Sequence, residues 1–399
     1  MNRSATVVTS EPTVFRTPRT DLVIDGPGAR GEVAGVLHDL AVQRVLVIVG
    51  GTLGRSTIFS DMITTLEEAG VAVETFVGPA QHNPLASLLR VIDKAWEVRP
   101  EAIISVGGGT TADAAKFAAL ALAANIRDRS TLLDYRVKFL YPDTEEVREI
   151  RGTPPPIIAL PTTLSAAEWN GFASCVDEEE RRKIIFRSRR LTPRVVIIDP
   201  ELAVLTPRDL WLTSGVRALD HAVESAYSAS AHPIATSLAL GAVELLASNL
   251  RRSVEDIDQH QAIRSCQLAA GMSIAGIHTV SLGLSHALGH QLGAYGVPHG
   301  ATSCITLPHV MRYLEPATRD VQERIARALA GGRNMEGTAA ELMEKLFTSL
   351  DVPRRIREFG IDQEQLDRIA AHALQDLVVR ECPVPLTHRT LLDLLTLAW

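Results

Sequence analysis

Histidines of reactive type crowd one stretch of the chain, which reads Gly283-Leu-Ser-His-Ala-Leu-Gly-His-Gln-Leu-Gly-Ala-Tyr-Gly-Val-Pro-His-Gly300. His286 and His290 are four residues apart among good helix formers, so both imidazoles leave one helical face a turn apart. Imidazoles paired in this way hold a metal or move a proton. His299 stands between Pro298 and Gly300, where a turn is expected to bring a third ring back toward the first two. A fourth candidate, His221, lies upstream in Arg-Ala-Leu-Asp-His-Ala-Val-Glu. A lone histidine in an apolar helix is usually a packed, hydrogen-bonded residue. Three within fourteen positions, each beside a Gly or Ala that leaves room for a ligand, point instead to a functional site.

A second chemical element lies in the first half. The buried-strand pattern Ala102-Ile-Ile-Ser-Val106 runs into Gly107-Gly108-Gly109-Thr110-Thr111, and an Ala-rich helix is expected from about Ala112. Glycines at the carboxyl end of a strand, opening a helix, offer bare N–H groups and a positive dipole end to a pyrophosphate. The stretch lacks the Gly-Lys-Ser/Thr of a P-loop, and no Gly-x-Gly-x-x-Gly follows the earlier strand at Val49. Asp113 and Lys116, one turn apart, can pair with each other or reach ribose hydroxyls. Thr162, Thr163 and Ser165 make a hydroxyl-rich turn that suits either a cofactor contact or a helix cap.

These elements need a frame. Strand patterns at 21–25, 44–49, 71–77, 102–106, 157–160 and 195–198 alternate, over the first five, with helix patterns near 33–40, 56–69, 84–97 and from 112. That alternation predicts a parallel sheet with helices on both faces. Residues 126–156 read as a charged surface excursion. The run Glu178 to Lys183 reads as a solvated hairpin turn, and Arg187, Arg189, Arg190 and Arg194 as a solvated face rather than a basic patch. Beyond Pro207 helix patterns dominate. Two domains are therefore expected, an α/β dinucleotide-binding domain over 1–200 and a helical catalytic domain over 201–399, with the active site in the cleft between them.

Composition narrows the partners. A net charge of −7 over 399 residues argues against nucleic acid or an anionic membrane, and toward a small molecule. Cys175, Cys266, Cys304 and Cys382 are scattered and form no Cys-x-x-Cys pair, which fits a reducing cytoplasm. Residues 1–20 have neither the apolar run of a secretory signal nor that of a membrane anchor.

Taken together the chain resembles the iron-containing (group III) alcohol dehydrogenase family, which shares its architecture with dehydroquinate synthase. Gly107-Gly-Gly-Thr-Thr-Ala-Asp-Ala-Ala-Lys116 is similar to that family's Gly-Gly-Gly-Ser-x-x-Asp-x-x-Lys element, and Pro161-Thr-Thr to its Pro-Thr-Thr turn. Gly283 to Gly293, Pro298-His-Gly, Leu307-Pro-His-Val and the ending Pro383-Val-Pro-Leu-Thr resemble the rest of its signature. The resemblance implies a Rossmann-like parallel sheet domain and a helical domain in an NAD- or NADP-dependent enzyme that interconverts an alcohol with an aldehyde or ketone. It assigns the pyrophosphate to Gly107, Gly108 and Gly109, with Thr110 and Asp113 in the same element. Further cofactor contacts fall to Asn83, Thr162, Thr163 and Lys183, a metal (Fe or Zn) to His221, His286 and His299, and a proton relay to His290. It also implies a homo-oligomer.

Two departures shape the expectation. The family's metal site pairs an Asp with a His four residues later, and here that position is Arg217. A guanidinium is always charged and repels a divalent cation, so metal binding is expected to be weak or absent, with Arg217 polarising the carbonyl or gripping a carboxylate. Asp220 is about a hundred degrees around the helix from the histidine and reads as a poor replacement ligand. The turn after Thr163 is one residue shorter than usual, a length that resembles the maleylacetate reductase branch, whose substrates are carboxylated ketones. Relatives place an acidic residue against the ribose at about Gly50, so neither NAD nor NADP is excluded. The resulting expectation is an NAD(P)-dependent carbonyl reductase or alcohol dehydrogenase with His290, His286 and Arg217 as its catalytic groups. A lyase resembling dehydroquinate synthase, or a non-catalytic cofactor-binding protein, are the alternatives.

Overall fold

The computed structural model describes residues 14–80, 83–140, 144–179, 182–255, 259–332 and 336–399. The first eight strands are β1 (Leu22–Asp25), β2 (Arg44–Val49), β3 (Ala72–Val77), β4 (Ala102–Gly107), β5 (Lys138–Leu140), β6 (Thr144–Glu146), β7 (Ile157–Pro161) and β8 (Phe172–Asp177). They are followed by β9 (Arg182–Arg187) and β10 (Val195–Ile198). Six of these strands form one sheet in the order β1-β10-β7-β4-β2-β3, every pairing parallel. Helices α1 (Val33–Asp39), α2 (Thr57–Glu68), α3 (Leu85–Val98) and α4 (Gly109–Ala124) connect its first strands.

The apolar run of β2 explains why the sheet sits in the middle. Leu46 and Ile48 face one core with Leu88, Ile92 and Phe117, while Val45, Val47 and Val49 face the other with Val33, Leu37 and Leu66. Alternating side chains thus find an apolar layer on both faces. The chain leaves β2 toward β3 on one side and returns through β4 on the other. The order therefore reverses between β2 and β4, and a crevice opens at their carboxyl ends.

The excursion before β7 has structure of its own, a short helix α5 (Arg129–Leu133) and the antiparallel pair β5–β6. The charged run after β8 is a hairpin tip, as expected, although Glu180 and Arg181 lie outside the described residues, as does the polar lead over residues 1–13. After β10 every described element is helical: α6 (Pro200–Ala203), α7 (Arg208–Tyr227), α8 (Pro233–Asn249), α9 (Arg252–Glu255), α10 (Gln259–Ile274), α11 (Leu284–Ala294) and α12 (His299–Ala330), then α13 (Ala339–Leu350), α14 (Leu366–Ala373) and α15 (His388–Ala398). Among the described residues, only the helical stretch Pro233–Glu255 is long and apolar enough to cross a membrane; Ala239, Val243 and Leu246 on it pack into the shared helical core.

Helix α7 is the axis of this half. From Ser214 to Tyr227 every residue is buried, polar ones included. The helices are tied to the sheet at the same carboxyl ends that carry the crevice. The Gln267 amide donates to the Pro161 carbonyl at 2.9 Å, Leu164 N–H donates to Ser214 Oγ at 3.1 Å, and Arg264 pairs with Asp25 at the end of β1.

Candidate functional site

The glycine triplet forms a cradle that side chains would fill. A Cβ on Gly107 would stand 2.9 Å from Thr111 Oγ1, one on Gly108 2.9 Å from Thr163 Cγ2, and one on Gly109 3.1 Å from Ser165 Oγ. Helix α4 begins at Gly109 rather than near Ala112, because Gly108 takes the N-cap position. No side chain caps that end, so its first N–H groups and dipole are left for a ligand. Gly50 lies across the crevice at the end of β2, its N–H bonded to the Val106 carbonyl at 3.2 Å and its Cβ direction open. These features fit a dinucleotide.

Several residues expected to touch the cofactor also make bonds that hold the cradle's shape. Asn83, buried at φ 49°, donates its amide to the Thr110 carbonyl at 3.1 Å, and its own carbonyl accepts from Val176 N–H. Asp113 accepts from both Ser174 N–H and Ser174 Oγ, at 3.0 and 3.2 Å, and lies 3.4 Å from Lys116 Nζ. Lys116 is fully buried and donates to the Ala167 and Phe172 carbonyls at 2.7 and 2.5 Å. The pair does not reach toward a ribose; it pins β8 to α4. Thr162 and Thr163 are buried beside the glycines, Thr162 N–H donating to the Gly107 carbonyl at 3.0 Å. Lys183, on β9, still sees solvent, but protein crowds it and Arg217 adds a like charge. Both push its ammonium down to about 8, against the carboxylates of Asp113 and Asp376, which raise it.

The second cluster is built by three helices. Helix α7 brings Arg217, Asp220, His221 and Glu224, α11 brings His286 and His290, and α12 brings His299 at its first position. His299 is not in a turn, as Pro298-His-Gly suggested, but opens a helix with Pro298 at the cap. Gly300 is required there, since a Cβ would meet the Thr213 backbone at 2.8 Å. The rings of His221 and His286 stack with centroids 4.9 Å apart, His286 and His290 meet edge to face at 6.4 Å, and His290 and His299 stack at 6.1 Å.

Behind the rings lies a dry polar network. Glu224 Oε2 is 2.6 Å from His286 Nδ1 and accepts from Gly283 N–H at 2.8 Å, while Oε1 accepts from Ser285 N–H at 2.6 Å. Asp220 Oδ2 accepts from Ser285 Oγ and Ser303 Oγ at 2.9 and 2.6 Å and lies 3.7 Å from Arg217 Nη1. Arg217 donates to Ser303 Oγ at 2.9 Å. Burial and the charge of Arg217 hold His286 well below its ordinary value, so its ring is neutral, and burial with the neighbouring Asp220 drives Glu224 well up. Among the described residues, His286 Nε2 and His221 Nδ1 have no hydrogen-bond partner.

His290 is oriented by a residue that sequence reading missed. Its Nδ1 is 3.0 Å from Asp376 Oδ2, and Asp376 also accepts from Val378 N–H at 3.2 Å through Oδ1. With Nδ1 so engaged, Nε2 is the nitrogen left to exchange a proton.

The donor set does not fit a divalent metal. The expected trio His221, His286 and His299 carries no carboxylate, and the Arg217 guanidinium lowers the proton affinity of all three; a divalent cation would meet the same repulsion. Among the described residues the compact group of possible ligands is Asp220, Glu224 and His286. Three of its four carboxylate oxygens already accept from hydroxyl or backbone donors, Asp220 Oδ1 alone having no partner among the described residues, and the Arg217 guanidinium stands 3.7 Å from Asp220 Oδ2. Asp220 is thus no remote bystander, but it serves the arginine.

Comparison with known proteins shows the family. The profile "Iron-containing alcohol dehydrogenase" matches residues 21–200, and "Fe-containing alcohol dehydrogenase family, C-terminal" matches 211–399. Lactaldehyde reductase of Escherichia coli strain K12 is 28% identical over 389 residues, covering 94% of this chain and 97% of its own. The crystal structure of 1,3-propanediol oxidoreductase superposes with a TM-score of 0.86 at 26% identity, covering 97% of this chain and all of its own. Maleylacetate reductase from Rhizobium sp. strain MTP-10005 shares the fold with a TM-score of 0.79 at 24% identity, covering 98% of each chain.

Proposed function

We propose, from the premise that the chain belongs to the iron-containing alcohol dehydrogenase family and is an oxidoreductase interconverting alcohols with aldehydes or ketones, that it works with NAD or NADP and without a metal. A lyase of the dehydroquinate synthase type finds no support in these matches.

The observation that carries the metal-free reading is Arg217, buried among four histidines one helical turn before His221. The nicotinamide supplies or accepts the hydride. The glycines of the cradle and the free N–H groups of α4 bind the pyrophosphate, and Thr162 and Thr163 pack beside it. Lys183 reaches the cofactor from β9. The division of labour follows the chain, with the dinucleotide on residues 1–200 and the chemistry on 201–399.

In the reducing direction Arg217 faces the oxygen on which negative charge develops, a task otherwise suited to a Lewis acid. Asp220 and Ser303 hold the guanidinium so that it need not reorganise as that charge grows. His290, held by Asp376, delivers the proton through Nε2, and the unpartnered Nε2 of His286 is left to contact the substrate. An arginine in this place favours substrates with a carboxylate next to the carbonyl, in keeping with a maleylacetate reductase-like branch. The four cysteines, all free, suit a reducing cytoplasm, and the family suits a homo-oligomer.

The test is turnover in the presence of a strong chelator on matched aldehydes and keto acids, with NADH and NADPH each supplied. The reading expects undiminished rates and faster reduction of the keto acids. Loss of turnover on chelation contradicts it.

A further inference from the structure

Four separate segments converge on a cavity of about 560 Å³ that the chemistry above does not use. Arg16 and Arg19 come from the segment before β1, Arg148 from the stretch after β6, Arg187, Arg189 and Arg190 from the end of β9 and beyond, and His278 from the loop between α10 and α11. Glu149 is the one acidic side chain among its described lining residues, and Arg148 also pairs with Asp134 outside the lining at 3.0 Å. In a chain whose net charge is −7, this is a local excess of cations that folding brought together at some electrostatic cost. The arginines after β9 are therefore not the plain solvated face that their sequence suggested.

The walls are held in place by bonds between the segments. Arg16 N–H donates to Thr279 Oγ1 at 2.8 Å, Arg189 Nη2 to the Thr17 carbonyl at 2.9 Å, and Arg190 Nη1 to the Ile150 carbonyl at 2.5 Å. Phe172 forms a platform between two lining residues, stacked on His278 with centroids 5.8 Å apart and covered by Arg187 at 5.7 Å. Two buried nitrogens of the lining, Arg189 Nε and His278 Nε2, have no hydrogen-bond partner among the described residues. Buried polar atoms of this kind are rare, and Arg189 Nε, always a donor, is satisfied when an oxygen arrives. Burial, and after it the charges of Arg189, Arg187 and Lys116, push His278 down to about 4.

We propose that this cavity is a binding site for a small anion carrying phosphate or carboxylate groups, separate from the glycine cradle. Its size suits a small molecule, and planar guanidinium forks match such oxygens in pairs. Two sources share that chemistry: the charged tail of an extended carbonyl substrate entering along the β8–β9 hairpin, or a free anion acting beside the reaction.

The test titrates inorganic phosphate, and separately citrate, into the full-length protein by calorimetry, with nicotinamide cofactor present to fill the cradle. Saturable binding is expected, weakened about tenfold or more in Arg189→Gln, which removes one charged fork. Arg189 also holds Thr17, so the exposed double variant Arg19→Gln/Arg148→Gln, expected to weaken binding in the same direction, keeps the test valid if Arg189→Gln does not fold. Absence of saturable binding, or equal affinity in a folded variant, overturns the proposal. If the double variant lowers kcat/KM for a phosphorylated or carboxylated carbonyl compound but not for an uncharged aldehyde, the anion is the substrate's own tail. If it alters neither, while phosphate changes the rate on both, the anion is a separate molecule. Failure of any carbonyl to turn over counts against the dehydrogenase reading and leaves the binding result standing.

Discussion

Replacing Asp376 by Asn isolates the orienting role that only the folded structure shows. The change keeps the shape and the N-cap bond to Val378, but converts a charge-assisted contact at 3.0 Å from His290 Nδ1 into a neutral one. An amide can also donate to Nδ1, which would move the ring proton to Nε2 and spoil proton transfer. A hydrogen bond to a charged group contributes about 1.5–3 kcal/mol. If that is lost from the transition state, kcat falls by roughly 10- to 150-fold. The cofactor KM should hardly move, because the cradle lies on other elements. Asp376 raises the proton affinity of His290 against the burial that lowers it, so its loss should shift the alkaline limb of the kcat profile for reduction, where the donor loses its proton, to lower pH. Stopped-flow or steady-state oxidation of the reduced cofactor across pH reads both effects. An unchanged kcat and limb, or a parallel loss of cofactor affinity, would refute the reasoning.

Other perturbations address the remaining groups. His290→Ala should lower kcat by about a hundredfold or more, as loss of a positioned proton donor does, with cofactor Kd unchanged by fluorescence titration. Gly108→Ala puts a methyl 2.9 Å from Thr163 Cγ2 and should weaken cofactor binding about tenfold, read by the same titration. Glu168 is buried and its carboxyl is pushed up to about 7 by that burial, against Lys116, which pulls it down. A raised folded-state value means the folded chain binds the extra proton. The Glu168 contribution to stability is therefore present below about pH 4.5 and lost as pH rises toward 7. Glu168→Gln should accordingly gain melting temperature relative to the parent at pH 8 compared with pH 5; an equal difference at both pH values would count against it.

What the sequence revealed followed from patterns that local physics fixes. The run Arg-Val-Leu-Val-Ile-Val could only be a strand covered on both faces, and β2 is that strand. The glycines after β4 were readable because a strand meeting a helix through three of them has few other uses. Helix α4 started earlier than expected because Gly108 caps it without any of the side chains that usually signal a cap. His299 was placed in a turn because Pro and Gly flank it, yet Pro fits the cap of a helix as well as a turn. Asp376 was invisible: it lies 86 residues from His290 and meets it only through the packing of α11 against the segment after α14. The partners of Asp220 were out of reach of the sequence, because Ser285 and Ser303 come from other helices to hold it. The arginine cavity needed four segments to meet, and no one of them announces it.

The account turns on Arg217 standing where a divalent ion would otherwise be bound. Elemental analysis of the protein purified without chelator, after incubation with iron(II) or zinc and removal of excess ion, tests this most directly. The account expects far less than one metal per chain, and uptake in Arg217→Asp, which restores a carboxylate one turn before His221. One tightly held metal per chain in the parent protein would contradict it.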